Sequence, residues 1–419
     1  MRARRASVGQ AVAWGVVAAL VLLGVASSVM AAPTKLVYWH GWGGDEKKVV
    51  EDVVAQFNKT HPNIVVEPVT IFGAYDKLLT SIAAGTPPDV VSAIWWTQVA
   101  DLASRGALVP LSSYAKKDGI KGEEYVAPVW EAVHYQGELY AMPVVANYSM
   151  IAYNKDHFKE AGLPDRAPKT TAELEEWAHK LYQVSRGRIQ RIGYLPSDIV
   201  LSTYMFNGSV YDAKRRVPTP DAPEVIQAAR WMRSFYAKYG YPALRAFQES
   251  LGSYASPENP FFSGKISIQD NWGEWIVNFT KWYAPDFHYG RFPYPRVDGS
   301  PGFGNWGGSV WGIPKGSKHP QEAWEFIKWL SAGDGNRLLA LGISNASARM
   351  ALNESPEFLE KMPVLKDALP LLREGRFLTS PIFPGNDEYI QKLTPVIDSI
   401  LAGERDAEQA LKEFAAQQK

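Results

Sequence analysis

Three short apolar runs separated by amphipathic stretches limit what this chain can fold into more than any other feature. Leu36–His40, Ile64–Val69 and Asp89–Ile94 read as strands. After the first run Val49, Val50, Val53, Val54 and Phe57 recur at helical spacing. After the second, Tyr75–Ala84 reads as a helix that Gly85-Thr86-Pro87-Pro88 stops. After the third, Val99, Leu102 and Ala103 mark a helix ending at Gly106. Strands alternating with helices at this spacing build a parallel α/β sheet. Ligands of such sheets sit beyond the carboxyl ends of the strands. Trp42, Asp45, Trp95 and Trp96 stand at those ends and are candidate ligand contacts. Trp95 and Trp96 point to opposite sides if the strand continues, so one of the two is expected at the ligand. Asp45 reads either as a hydroxyl acceptor or as an acid that complements a helix N-terminus.

Further along, Tyr135–Pro143 reads as a hairpin about Gly137, and Val144–Met150 as a connector containing Asn147, with a second unit opening at Ile151. Thr170 and Glu173 form a capping box ahead of Leu174, Trp177 and Leu181. A helix is expected over Val225–Tyr239. A strand at Ile266–Ile268 leads to Trp272 and Trp275, at least one of them expected to face a cleft. Trp306-Gly307-Gly308 is a flexible step beside an indole, where glycine lets the backbone pass close to something bulky. It is followed by a strand at Ser309–Ile313 and a helix that Pro320 opens, with Ala323, Phe326, Ile327 and Leu330 on its buried face. Helices are expected at 335–342, 356–373, 387–402 and 407–416.

The start of the chain has its own pattern. Arg2, Arg4 and Arg5 precede an apolar run from Ala11 to Val29 and the small-residue exit Val29-Met30-Ala31. This reads as a cleaved secretory signal peptide over residues 1–31, the other reading being a membrane anchor. Without it, 41 basic side chains face 44 acidic ones, a balance that argues against a nucleic-acid partner. The chain has no cysteine, which excludes disulfides, cysteine-held metals, a cysteine nucleophile and a lipid-modified cysteine. Fifteen tryptophans exceed what the helices bury and suggest surfaces that stack on a ligand.

Several segments resemble, in order, those of extracellular solute-binding proteins of carbohydrate ABC importers, of the maltose-binding-protein type. They are Gly85–Val91 (GTPPDVV), Tyr153–Leu163 (YNKDHFKEAGL), Phe262–Trp275, where the spacing is blurred, and Trp306–Leu330 (WGGSVWGIPKGSKHPQEAWEFIKWL). The resemblance implies a periplasmic binding protein-like α/β fold, two α/β lobes joined by multiple hinge crossings. It places lobe 1 at 32–145 plus 309–375 and lobe 2 at 150–304 plus 380–419, with hinges near 143–149, 304–308 and 375–380. It also implies sugar capture between the lobes and delivery to the permease subunits of an ABC importer. Trp306 is then expected as a stacking platform with Gly307 and Gly308 beside it, and Asn147 as a polar sugar ligand. Arg349 and Tyr389 are looser carry-overs.

Catalytic signatures are missing: there is no His-Glu-x-x-His zinc motif and no Gly-x-Ser-x-Gly elbow. Adjacent acids such as Glu123-Glu124 and Glu175-Glu176 diverge on a helix. The expectation is a monomeric, non-enzymatic, periplasmic binding protein for a sugar, with an oligosaccharide favoured by the indole count. No cofactor and no metal are expected. A glycerol-phosphate-type ligand is the alternative, and a secreted glycoside hydrolase with two opposed carboxylates is a more distant one.

Overall fold

A computed structural model describes residues 32–418, so the segment read as a signal peptide lies outside the described residues. Thr34–His40 pairs in parallel with both Ile64–Thr70 and Val90–Val91. Val310–Gly312 and Ala141–Pro143 complete a five-stranded sheet, each joining antiparallel. The third strand is shorter than the 89–94 that the apolar run suggests. Beyond Val91 the chain leaves the regular ladder, and only an isolated bridge from Trp95 to Ser309 keeps it beside the sheet. That departure is what brings Ala93 and Trp95 to an open cavity wall.

A second sheet is organised on one long strand, Val145–Asn154, where the sequence suggests a connector. It pairs antiparallel with Ile268–Trp272, Tyr289–Phe292, Gly304–Gly307 and Ala346–Ser347. Its near-continuous apolar content reflects burial on both faces. Gly304–Gly307 pairs in turn with Phe377–Leu378. Three strands therefore lie side by side where the chain passes between two hydrophobic cores.

The first core holds Leu36, Tyr38, Phe57, Trp311, Trp324 and Phe326 and reaches along the long strand to Met150. The second begins at Ile151 and holds Trp177, Phe235 and Phe292, with Tyr389, Leu393 and Phe414 from the last two helices. A smaller cluster gathers Phe261, Trp272 and Phe279 with Ala152 and Val364.

Local chemistry explains most boundaries. Pro320 opens the helix Pro320–Ala332, where the first N–H groups need no intrahelical acceptor. At Thr171–Leu181 the Thr170 hydroxyl accepts from Glu173 N–H at 3.2 Å. The reciprocal half of the capping box is absent, because the Glu173 carboxylate takes Arg166 and the Lys169 N–H. The expected 356–373 helix is two helices, Pro356–Lys361 and Leu365–Arg373. Pro363 between them cannot donate to a continuing ladder.

Candidate functional site

The carboxyl ends of the first three strands open onto a cavity of about 420 Å³, within the usual range for small-molecule sites. One wall comes from the turn after Thr34–His40. Trp42 lies there, packed on Trp311 with ring centres 5.6 Å apart. Phe72 and Tyr75 follow Ile64–Thr70, and Trp95 follows Val90–Val91. The facing wall is Tyr254, Trp275 and Phe279. Phe72 is 63% exposed and Trp95 51%. Rings left this open on an otherwise packed fold offer faces to a partner.

Gly273 explains how Trp275 reaches the wall. A Cβ there would sit 2.0 Å from the Trp275 ring, so only glycine lets the indole fold back over the chain. Its Nε1–H donates to the Tyr254 hydroxyl.

Polar groups are set between the rings: Glu46, Gln98, Asn147, Ser309 and Asn345. Asn147 Oδ1 is buried without a hydrogen-bond partner among the described residues. Gln98 is fixed at both ends. It accepts from Trp95 N–H at 3.0 Å and donates to Asp387 at 2.8 Å. Burial pushes the Glu46 carboxyl up to about 7. Among the described residues no lysine or arginine lines this cavity.

Of the residues singled out from sequence, the structure gathers Trp42, Trp95, Asn147 and Trp275 at the cavity. It places the others elsewhere. Asp45 is exposed one position before Glu46, a step of about 100° around the helix. Trp96 turns the opposite way from Trp95 and donates from Nε1 to Thr379 Oγ1 at 2.7 Å. Trp272 is 1% exposed inside the Phe261–Phe279 cluster.

Trp306 is 3% exposed and belongs to the first core. It pairs with Tyr148 in the antiparallel ladder, whereas Gly307 pairs with Asn147. Directly opposite residues share a face, so the Trp306 ring takes the core side with Tyr148 while Asn147 takes the cavity side. Gly307 serves packing: a Cβ there would come within 2.3 Å of the Trp96 ring. Gly308 accepts from Trp96 N–H at 3.3 Å. Arg349 pairs with Glu124 at 2.7 Å and donates to the Ala332 carbonyl. Tyr389 packs against Phe414 and Phe383.

Sequence reasoning missed Glu46, Phe72, Tyr75, Gln98, Tyr254, Phe279, Ser309 and Asn345. The strand-end rule that selects Trp42 and Trp95 also points to 71–75, so Phe72 and Tyr75 were within its reach. Tyr254 and Asn345 carry no local signal, since distant segments bring them in.

Buried charge sits just behind the site. Glu274 accepts from Tyr148 N–H at 3.1 Å, while Arg291 donates to the Tyr148 carbonyl at 2.9 Å. Burial pushes the Glu274 carboxyl up to about 7, opposed by Arg291. Among the described residues no cluster of three or more metal-ligating side chains occurs, and no helix is long and apolar enough to cross a membrane.

Comparison with known proteins extends this geometry. The maltotriose-binding protein of Pyrococcus abyssi is 24% identical over 303 residues, which cover 71% of this chain and 62% of that protein. The sn-glycerol-3-phosphate-binding periplasmic protein UgpB of Escherichia coli K12 is 30% identical over 171 residues, 39% of this chain and 38% of that one. The solved structure of CpMnBP1 with mannotriose bound superposes with a TM-score of 0.83 at 30% identity, covering 92% of this chain and 100% of that one. The family model for bacterial extracellular solute-binding protein matches residues 43–336. With that match running from the turn after the first strand, through both cores, to the helix beyond Pro320, the chain belongs to the bacterial extracellular solute-binding proteins.

Proposed function

We propose that this protein binds a neutral oligosaccharide between its two cores and hands it to the membrane permease of an ABC importer, without catalysing a reaction. The observation that carries the reading is the cavity wall. Rings from both sides, Trp42, Tyr75 and Trp95 against Tyr254 and Trp275, alternate with Glu46, Asn147 and Gln98. A pyranose has apolar C–H faces and a rim of hydroxyls; rings suit the faces, and carboxylate and amide groups suit the rim. Hydrolysis needs two carboxylates spaced across one bond, and among the described residues Glu46 is the only acid lining the cavity. The sugar-binding names among the relatives support the same class.

The two cores correspond to two lobes, 32–145 plus 309–375 and 150–304 plus 380–419. Crossings at 143–149, 304–308 and 375–380 act as the hinge, and closure over the ligand excludes water. The mature protein works as a monomer in the periplasm. A glycerol phosphate fits poorly. Its dianion would meet Glu46 and no cation in this cavity, although the partial match to UgpB keeps that ligand in the comparison.

A thermal-shift screen of the purified mature protein decides between the two classes. Mannooligosaccharides or maltooligosaccharides should raise the melting temperature and sn-glycerol 3-phosphate should not. A shift with the phosphate alone contradicts the carbohydrate reading.

A further inference from the structure

The strand register turns Asn147 to the cavity, but its side chain is not tied there. Its Oδ1 is buried with no hydrogen-bond partner among the described residues, so the main chain beneath it sets its aim. That stretch of main chain is thinly supported. On one edge Asn147 pairs with Gly307, a residue that brings no side chain to the contact. On the other edge the strand Ile268–Trp272 makes its last pair at Met150. Tyr148 lies two residues beyond that pair, where the neighbouring strand has already turned away.

Two charged side chains take over at that point. The Tyr148 N–H donates to Glu274 Oε2 at 3.1 Å, and the Tyr148 carbonyl accepts from Arg291 Nη2 at 2.9 Å. The N–H belongs to the peptide plane that Asn147 and Tyr148 share, so holding it fixes rotation about the Asn147 Cα–C bond. The carbonyl fixes the next plane. Charge is a costly way to do this. Glu274 is fully buried, and Arg291 Nε and Nη1 are buried with no hydrogen-bond partner among the described residues. Neutral side chains could satisfy one N–H and one C=O without that desolvation. What charge adds is strength and direction, since charge-assisted bonds are shorter and roughly twice as strong as neutral ones. Neither Glu274 nor Arg291 lines the cavity, so neither is placed to touch a ligand held there.

We infer that Glu274 and Arg291 are positioning residues, which clamp the main chain at Tyr148 so that the Asn147 amide meets a sugar hydroxyl. The inference rests on the carbohydrate reading of the cavity and adds two residues that act on the ligand without touching it. An amide aimed in advance binds more tightly than one that must be ordered when the sugar arrives, because the ordering cost is met in folding. Loss of the clamp should therefore appear in affinity, and only through Asn147.

Titration calorimetry on the mature protein tests this with mannotriose or maltotriose, whichever raises its melting temperature more. The titrations are run at pH 8, where the Glu274 carboxyl, pushed up to about 7 by burial, is mostly ionised. Glu274→Met keeps the side-chain length and removes the acceptor. It should weaken binding about tenfold, with the stoichiometry still near one per folded chain. Glu274→Gln keeps an oxygen for the Tyr148 N–H and should bind within about threefold of the parent. Asn147→Ala should weaken binding by a factor similar to Glu274→Met. Adding Glu274→Met to Asn147→Ala should cost less than about twofold more, because the residue being aimed is gone. A Glu274 that merely supports the fold would lower the melting temperature without this dependence on Asn147. If Glu274→Met does not fold, Glu274→Met with Arg291→Met, which removes the two charges together, takes its place in the cycle. Additive losses, parent-like affinity in Glu274→Met or in Asn147→Ala, or equal losses in Glu274→Gln and Glu274→Met overturn the clamp while leaving sugar binding intact. Failure of both trisaccharides to bind the parent overturns it together with the carbohydrate reading.

Discussion

A carboxyl group set among rings gives up water without gaining a cation, and Glu46 is in that position. Burial holds its proton up to about pH 7, whereas the unfolded chain releases it near the ordinary value of 4.5. Across that interval the unfolded state ionises first, so the fold loses stability as pH rises; below it the cost vanishes. Glu46→Gln should therefore melt above the parent at about pH 8, by on the order of 1–3 kcal/mol. The gain should shrink as the pH falls toward 4.5. Asp270 and Glu274 are also pushed up to about 7 by burial, but both variants contain them, so their effect cancels. A gain that stays the same at both ends of the range contradicts this account of Glu46. Trp306 provides the opposite case, a ring that belongs to the core. Trp306→Ala should cost about 3–5 kcal/mol of stability, read by urea unfolding, with little change in the sugar affinity of the folded protein. A large affinity loss with unchanged stability would place its ring at the ligand after all. The difference between Trp306 and Asn147 was not legible from sequence. A tryptophan beside two glycines does not say which face of a ladder it takes until its partner strand and register are known. Asp45 and Glu46 pose the same difficulty, since both sit in one helical turn and only packing decides which is turned inward.

Elements were easier to read than side-chain directions wherever local chemistry sets their limits. The first two strands, the helix after Pro320 and the last two helices lie close to where periodicity and proline place them. The long strand Val145–Asn154 was harder. Asn147 and Ser149 interrupt its apolar run, and its partners come from four distant segments. No local pattern reports such pairing. The Gly304–Gly307 strand shows how closely these elements are fitted. Gly307→Ala would press a methyl group against the Trp96 ring, which is anchored by its bond to Thr379. The variant should lose about 1–3 kcal/mol through overpacking, measured by urea unfolding, together with a changed tryptophan emission. Wild-type stability and emission would mean that the ring moves aside freely and that glycine is not required there.

At the scale of the molecule, three strands side by side join two separate cores, and the open face between those cores is lined by rings. That general arrangement was readable from the alternation of strands and helices, from the tryptophan count and from the family resemblance. Of the far wall only Trp275 was readable; Tyr254 and Phe279 meet the first core only when the whole chain is folded. The central claim is that the ligand is a sugar held on these rings, and Trp95 is the exposed indole through which it can be tested with least risk to the fold. Isothermal titration of the parent and of Trp95→Ala, using the neutral oligosaccharide that most stabilises the parent, addresses it directly. Loss of a stacking ring of this kind commonly costs about 2–4 kcal/mol, so the variant should bind roughly thirtyfold or more weakly at an unchanged melting temperature without ligand. Parent-like affinity in Trp95→Ala would contradict the account and place the sugar away from this cavity.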